Sequence, residues 1–395
     1  LKPSGLIAAL LAGIFWCFAA SEAAPPDAIR VALIVPGSGP GAMAGLDAID
    51  GFQLGVRQSG GRFGNIDVRL TILDDRRNPQ IAAQLARQLA RMERSQRPRF
   101  ILGGTTPELT AAIAGPLVEA RSFVFSLSGL PDALSGAGCS PYVFGLGIAT
   151  AALPEALGNL LSAEGASRVW ISEPKNEFGA KATEAFKRRF KGTIAGTSAA
   201  KQGNMSYGAE IQRIAAAKPD AVVTFHTGGM GVSFVRQYGA VAGRPPLFGL
   251  QQSFEPVALP AMGESAAAAR SVGIWAELID TPQNKRFVSE FEAENGRIPS
   301  AQAMIGYEAA LLLDAAIRAV HGEVDNHDAL RAALRKADFQ PIRGPLRFAS
   351  NQTIVQSIYL RQIGKDARGR SLNEVRSIAF KDYVDPMAGQ CPMRW

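Results

Sequence analysis

The feature that most constrains this chain is an alternation of β-branched runs and helical segments that plays through once and then starts again. Ile29 to Val35 (IRVALIV) ends in Pro36-Gly37, and Ala42 to Gln58 follows with helical periodicity. Ile66 to Leu73 reads as the next strand. Asn78 then caps a helix whose first position is Pro79, where the missing N–H costs nothing. Phe100 to Leu102 runs into Gly103-Gly104, Thr106-Pro107 opens another helix, and Ser122 to Phe125 is again a strand. Past Gly145 the pattern restarts, with helices at Leu153 to Ala163, Gly179 to Phe190, Tyr207 to Ala217 and Gly231 to Ala242. Strands at Arg168 to Ile171, Thr193 to Gly196, Ala221 to Phe225, Pro246 to Gln251 and Ala268 to Ala276 fall between and after them. Repeated βα units with short loops predict parallel strands covered by helices on both faces. The expected fold class is α/β: two doubly wound parallel-sheet lobes joined by a hinge.

The last third does not read as another domain. Pro282 to Glu294, Ala301 to Val320 and Ala329 to Lys336 are helical. Leu346 to Phe348, Ile354 to Gln362 and Val375 to Phe380 alternate like antiparallel strands, with Gly364 to Arg370 as a polar hairpin loop. Such elements complete both preceding lobes if the chain crosses between them more than once. The expected division is 28–147 plus about 278–345 for the first lobe, and 148–277 plus about 346–395 for the second with its C-terminal tail.

Residues 1–23 read as a secretory signal peptide. Lys2 precedes an uncharged apolar run from Leu6 to Ala20, and Ser21-Glu22-Ala23 supplies the small residues of a cleavage site near Ala23. Trimming there leaves about 370 residues, a length that fits two domains, destined for the periplasm. The formal charge is +7, but the arginines are scattered. In the densest stretch, Arg87, Arg91 and Arg94 recur at helical spacing, the pattern of a solvated helix face rather than a nucleic-acid surface. After cleavage only Cys139 and Cys391 remain, and in an oxidising compartment they are expected to pair, tying the tail back to the first lobe.

Catalytic and cofactor signatures are missing. The chain has three histidines, His226, His321 and His327, the last two expected to be exposed. No HExxH or CxxC gives metal-ligand spacing, and no G-x-S-x-G elbow marks a nucleophile. Gly37-Ser38-Gly39-Pro40-Gly41 stands where a dinucleotide fingerprint would, but Ala42 replaces its third glycine and no Walker lysine occurs. The chain is therefore expected to be a non-enzyme without metal or cofactor. Two other loops invite a ligand. Gly103-Gly104-Thr105-Thr106-Pro107 sets two hydroxyls and free N–H groups at a helix N-terminus, a natural seat for a carboxylate. Ser126-Leu127-Ser128-Gly129 follows the next strand in the same way. In a parallel sheet both emerge at the carboxyl ends of strands, where such folds bind ligands.

With these loops in this order, the chain resembles the leucine/isoleucine/valine-type solute-binding proteins of ABC importers, the type I periplasmic binding fold. The likeness runs through VALIVPGSGPGAMAG (31–45), ILGGTTPELTAAIAGPL (101–117), FVFSLSG (123–129), EFGAKATEAFKRRF (177–190), KPDAVVTFHTGG (218–229) and MIGYEAALLLDAA (304–316). It implies that Thr105, Thr106, Ser126, Ser128 and Gly129 hold a solute carboxylate, and that Phe178, His226 and Thr227 close over it from the second lobe. Ser38 in the first loop and Tyr307 in the last motif complete the candidate set. Two departures bear on the solute. Where amino-acid binders place a carboxylate for the ammonium, this chain has Gln251, and Leu130 stands where they place a carboxylate-binding threonine. Glutamine cannot neutralise a buried ammonium. An aromatic or keto acid, or a neutral amide, fits better than an α-amino acid. The implied function is capture of a small organic solute by hinge closure and delivery to an inner-membrane permease, the chain acting as a monomer. A periplasmic ligand-sensing subunit or an amide-binding regulator would share the fold.

Overall fold

The structure, a computed structural model, describes residues 27–39 and 41–394. The proposed signal peptide and its cleavage site lie outside the described residues. In the first lobe the elements are β1 (Ile29–Val35), α1 (Ala42–Gln58), β2 (Arg62–Phe63), β3 (Ile66–Asp74) and α2 (Pro79–Ala90). They continue with β4 (Phe100–Gly103), α3 (Pro107–Glu119), β5 (Phe123–Ser126), α4 (Asp132–Ser135) and β6 (Val143–Gly145). These strands form one sheet in the order β2-β3-β1-β4-β5-β6, parallel except for the short antiparallel β2. Strand β1 is buried on both faces, which is why it reads as an unbroken apolar run. Strand β3, toward the sheet edge, alternates instead.

The second lobe starts with α5 (Ala152–Ala163), β7 (Arg168–Pro174), α6 (Glu177–Arg189), β8 (Thr193–Ala200) and α7 (Gly208–Ala217). Then come β9 (Ala221–Thr224), α8 (Gly228–Gly239), β10 (Leu247–Leu250), α9 (Leu259–Met262) and β11 (Arg270–Gly273). Helix α8 begins earlier than its periodicity suggested because Thr227, in extended backbone, stands as its N-cap. Strand β8 runs to Ala200 because β7 pairs with it along its length.

After β11 the chain returns to the first lobe as α10 (Pro282–Asn295), α11 (Ala301–Ala319) and α12 (His327–Lys336), then enters β12 (Arg347–Phe348), β13 (Ile354–Lys365) and β14 (Ser371–Tyr383). Helix α11 lies against α1 so closely that a Cβ on Gly51 would stand 1.9 Å from the Ala303 carbonyl oxygen, and one on Gly306 2.2 Å from that of Ala48. Strand β13 joins the second sheet antiparallel to β11, giving the order β12-β13-β11-β10-β9-β7-β8 with β14 on β13.

Where the chain crosses between sheets, two buried arginines tie the strands together. Arg343 Nε donates to Glu308 Oε2 at 2.6 Å, while its Nη1 donates to the Leu146 carbonyl and Gln356 Oε1. Arg361 donates to the carbonyls of Trp275 and Gln251 and to Ser271 Oγ. The expected disulfide forms: Cys139 and Cys391, 252 positions apart, have Cα atoms 5.7 Å apart and fasten the tail beside α4. One histidine expectation is corrected. His321 is exposed, but His327 is half-buried, packed against Phe123 and bridging Tyr142 Oη and Arg99. Because the arginine can only donate, Nε2 accepts and Nδ1 carries the proton.

Candidate ligand-binding cleft

The carboxyl ends of β1, β3, β4 and β5 in one lobe face those of β7, β9 and β10 in the other. The lobes stand near enough that Lys181, in α6, feels the charges of Glu108 and Asp132 at the starts of α3 and α4.

On the first lobe, Asp74 organises the loop after β1. Its Oδ1 accepts from Gly37 N and Arg76 N, both at 2.8 Å, and its Oδ2 accepts from Ser38 Oγ at 2.6 Å. Burial pushes this carboxyl upward, but the hydrogen bonds from Ser38, Gly37 and Arg76 outweigh it and leave it below the usual range. Ser38 is thus a loop clasp at the cleft edge. The loop after β4 turns on Gly104, whose φ of +68° and crowding against Thr110 exclude a side chain. Thr106 caps α3 by accepting from Leu109 N, and Thr105 beside it is half-buried with no side-chain hydrogen bond among the described residues. Both stand at the carboxyl end of β4, at the N-terminus of α3. The next loop divides its serines. Ser126 is wholly buried, bonded to Thr110 Oγ1 at 2.7 Å and to the Ser128 carbonyl. It supports the loop and does not reach the cleft, a correction to its expected role. Ser128 is half-buried, and Gly129 packs against the backbone of Ile148 and Ala149.

The second lobe behaves differently. Phe178, in the first turn of α6 behind the Asn176 cap, is half-buried, and Thr227 is exposed at the start of α8. His226 is not at the surface. Its ring lies in the lobe's interior between Tyr207 and Phe234, with Nε2 on Ser172 Oγ at 3.0 Å and Nδ1 unpartnered among the described residues. Burial pushes this imidazole down to about 4. Gln251 is 6% exposed, and its Oε1 accepts from Ile274 N at 3.0 Å, so its amide oxygen braces the chain just past β11. Tyr307 is also removed from the cleft. Its hydroxyl donates to Gln58, the last residue of α1, about 24 Å along that helix from the end that faces the cleft.

Sequence reasoning missed two groups. Glu255, just past β10, is pushed up to about 8 by burial, with Arg361 opposing the shift and Glu277 and Asp47 adding to it. Arg76 and Arg77, at the end of β3, are exposed. Neither has a local sequence signal beyond the Asp-Asp-Arg-Arg run itself. A separate cavity of about 500 Å³ opens at the far end of the first lobe, among Asp27, Arg30, Arg97, Arg99 and Asp325, away from the strand carboxyl ends. Among the described residues no three His, Cys, Asp or Glu side chains gather as a metal site, and no helix is long and apolar enough to cross a membrane.

Two lobes with ligand-competent loops at facing strand ends match a known architecture. Residues 28–368 match the family model described as periplasmic binding protein. This chain belongs to that family. Among curated proteins it is similar to Leu/Ile/Val-binding protein homolog 6 of Brucella melitensis, 25% identical over 93% of this chain and 95% of the relative. Among solved structures it is similar to the R. palustris ABC-transporter solute-binding protein in complex with benzoate, with TM-score 0.79, 27% identity, and 91% and 98% of the two chains covered. An ABC-transporter substrate-binding protein from Sphaerobacter thermophilus gives TM-score 0.82 and 28% identity, with 90% and 99% covered. A member of the periplasmic binding protein family with these neighbours is the solute-binding component of an ABC importer, taking up a small organic solute between its lobes.

Proposed function

We propose that the solute is an aromatic monocarboxylate of the benzoate class. Thr105, Thr106, Ser128, Gly129 and the N-terminus of α3 would receive its carboxylate, while Phe178 and Thr227 close over the ring from the second lobe. The observation that carries this reading is Gln251. At the position where an amino-acid binder needs a counter-charge for the ammonium, this chain has a neutral amide whose oxygen accepts from Ile274 N–H. An ammonium buried there without a partner would be costly, whereas a solute lacking the amine avoids the cost. A solved neighbour at 27% identity supports it, since it holds benzoate. Closure would proceed by rotation about the segments joined at Arg343 and Arg361, and the closed form would be read by an inner-membrane permease. The leader would be removed near Ala23 on export, and the mature chain would act as a monomer.

Calorimetric titration of ligand-free mature protein tests the assignment directly. Benzoate and 4-hydroxybenzoate are expected to saturate one site per chain, with leucine and phenylalanine giving no heat. Tighter binding of leucine than of benzoate would overturn the reading.

A further inference from the structure

The mouth of the cleft carries charge that the binding loops do not use. In the first sheet β3 lies on the side of β1 away from β6, where the chain crosses over, so the β3–α2 loop stands at the outer mouth. In the second sheet β7 and β8 are likewise at the end away from β11. The residues that leave these three strands include Arg76, Arg77, Lys175 and Lys201, all exposed. Lys175 and Lys201 are held side by side, because Lys175 N donates to the Ala200 carbonyl at 2.7 Å.

The arginine pair is fixed with unusual backbone. Arg76 and Arg77 have φ of +52° and +55°, consecutive left-handed conformations that cost free energy in residues with a Cβ. Two aspartates hold them there: Asp74 Oδ1 accepts from Arg76 N, and Asp75 Oδ1 accepts from Arg77 N at 2.7 Å. The guanidinium of Arg77 lies over Gly41 at the start of α1, where an added Cβ would meet its Nη1 at 3.2 Å. Acidic groups nearby offset part of this charge, but Asp74, Asp75 and Glu173 are less exposed than the four cations and Glu177 is paired. Asp74 serves Gly37, Ser38 and Arg76, Glu173 accepts from Thr183, and Glu177 pairs with Lys181. None of the four rim cations makes an ion pair at contact distance among the described residues.

We propose that Arg76, Arg77, Lys175 and Lys201 form a cationic rim that steers an anionic solute into the open cleft and selects against cationic ones. This rests on the carboxylate reading above and adds where the selection begins. Like charges on two facing lips cost closure something when the cleft is empty, and a solute anion passing between them relieves that repulsion. Low-dielectric walls on either side focus the field at the mouth, and salt screens it because the groups are exposed.

Two measurements test the rim. In stopped-flow tryptophan fluorescence with benzoate, the association rate of the fourfold variant Arg76→Glu, Arg77→Glu, Lys175→Glu, Lys201→Glu should fall about tenfold at low salt. Its salt dependence should reverse while the dissociation rate stays the same, and Arg76→Gln with Arg77→Gln should give an intermediate value. The second measurement needs no solute. A cysteine introduced by Gln202→Cys, beside the rim, is reacted with a dianionic aromatic disulfide and with a neutral pyridyl disulfide. The anionic-to-neutral rate ratio should drop severalfold when the four charges are reversed. An unchanged ratio overturns the rim even if benzoate binds. A falling ratio in a protein that ignores benzoate leaves the rim standing and discards the benzoate reading.

Discussion

The two faces of the cleft are built from the same βα turns, yet they spend their polar groups differently. On the first lobe the strand-end loops hold Thr105, Thr106 and Ser128 half-buried, the threonines at the N-terminus of α3, whose partial positive charge favours an anion. On the second lobe the corresponding strand ends turn His226 inward onto Ser172 and commit Gln251 to Ile274. In the proposed reading the first face leaves Thr105 open for a solute, while the second spends His226 and the Gln251 oxygen on its own scaffold. The lesson is that a polar residue at the carboxyl end of a parallel strand is a ligand candidate only if the next element leaves it unpaired.

The comparison can be broken first at the joint between the faces. Glu308→Ala leaves the buried Arg343 guanidinium without its carboxylate, and unfolding free energy should fall by about 3–5 kcal/mol in guanidinium titrations. The folded fraction should still bind benzoate, since neither face is touched. Loss of binding at full stability would mean that the joint belongs to the site.

The second lobe's interior is tested by acid. The folded pKa of His226, about 4, lies below its ordinary 6.5, so the unfolded chain takes up the proton first as pH falls. Stability is therefore complete above about pH 6.5 and lost progressively toward pH 4, by roughly 3 kcal/mol at the lower end. His226→Gln should flatten that part of the stability–pH curve while leaving benzoate affinity at pH 7 unchanged. A variant that binds benzoate tenfold more weakly would place the ring in the cleft after all.

The smallest effects separate the faces most sharply. Gln251→Ala should cost about 1–3 kcal/mol of stability, because Ile274 N–H is left buried without an acceptor, and should alter benzoate affinity little. Thr105→Ala should do the reverse, changing stability by less than about 0.5 kcal/mol and weakening benzoate about tenfold. Thermal melts and calorimetry on the same preparations check both. If the two variants exchange signatures, the assignment of binding and bracing faces is inverted.

Much of the scaffold was legible before any coordinates. The caps at Asn78 and Thr106 and the restart after Gly145 come from local chemistry, since capping side chains and β-branched runs act within a few residues. The candidate site was legible by loop but not by side chain. Ser126, Ser128 and Gly129 share one short loop, yet whether a serine faces solvent or Thr110 depends on a helix packed from elsewhere. Tyr307 was misplaced for the same reason, because a helix with apolar residues nearly all round does not declare which face meets α1.

What the sequence determined by itself is the α/β class, the tandem lobes and the two cysteines able to pair, all set by period, composition and count. Only the tertiary structure decided that those cysteines meet across 252 positions, that the Gln251 oxygen braces Ile274 and that His226 is buried on Ser172. It also decided that Arg76 and Arg77 share a mouth with Lys175 and Lys201, because strand order sets which loops become neighbours. Period and propensity act over a few residues, whereas a binding face is made by packing between segments that sequence distance does not order.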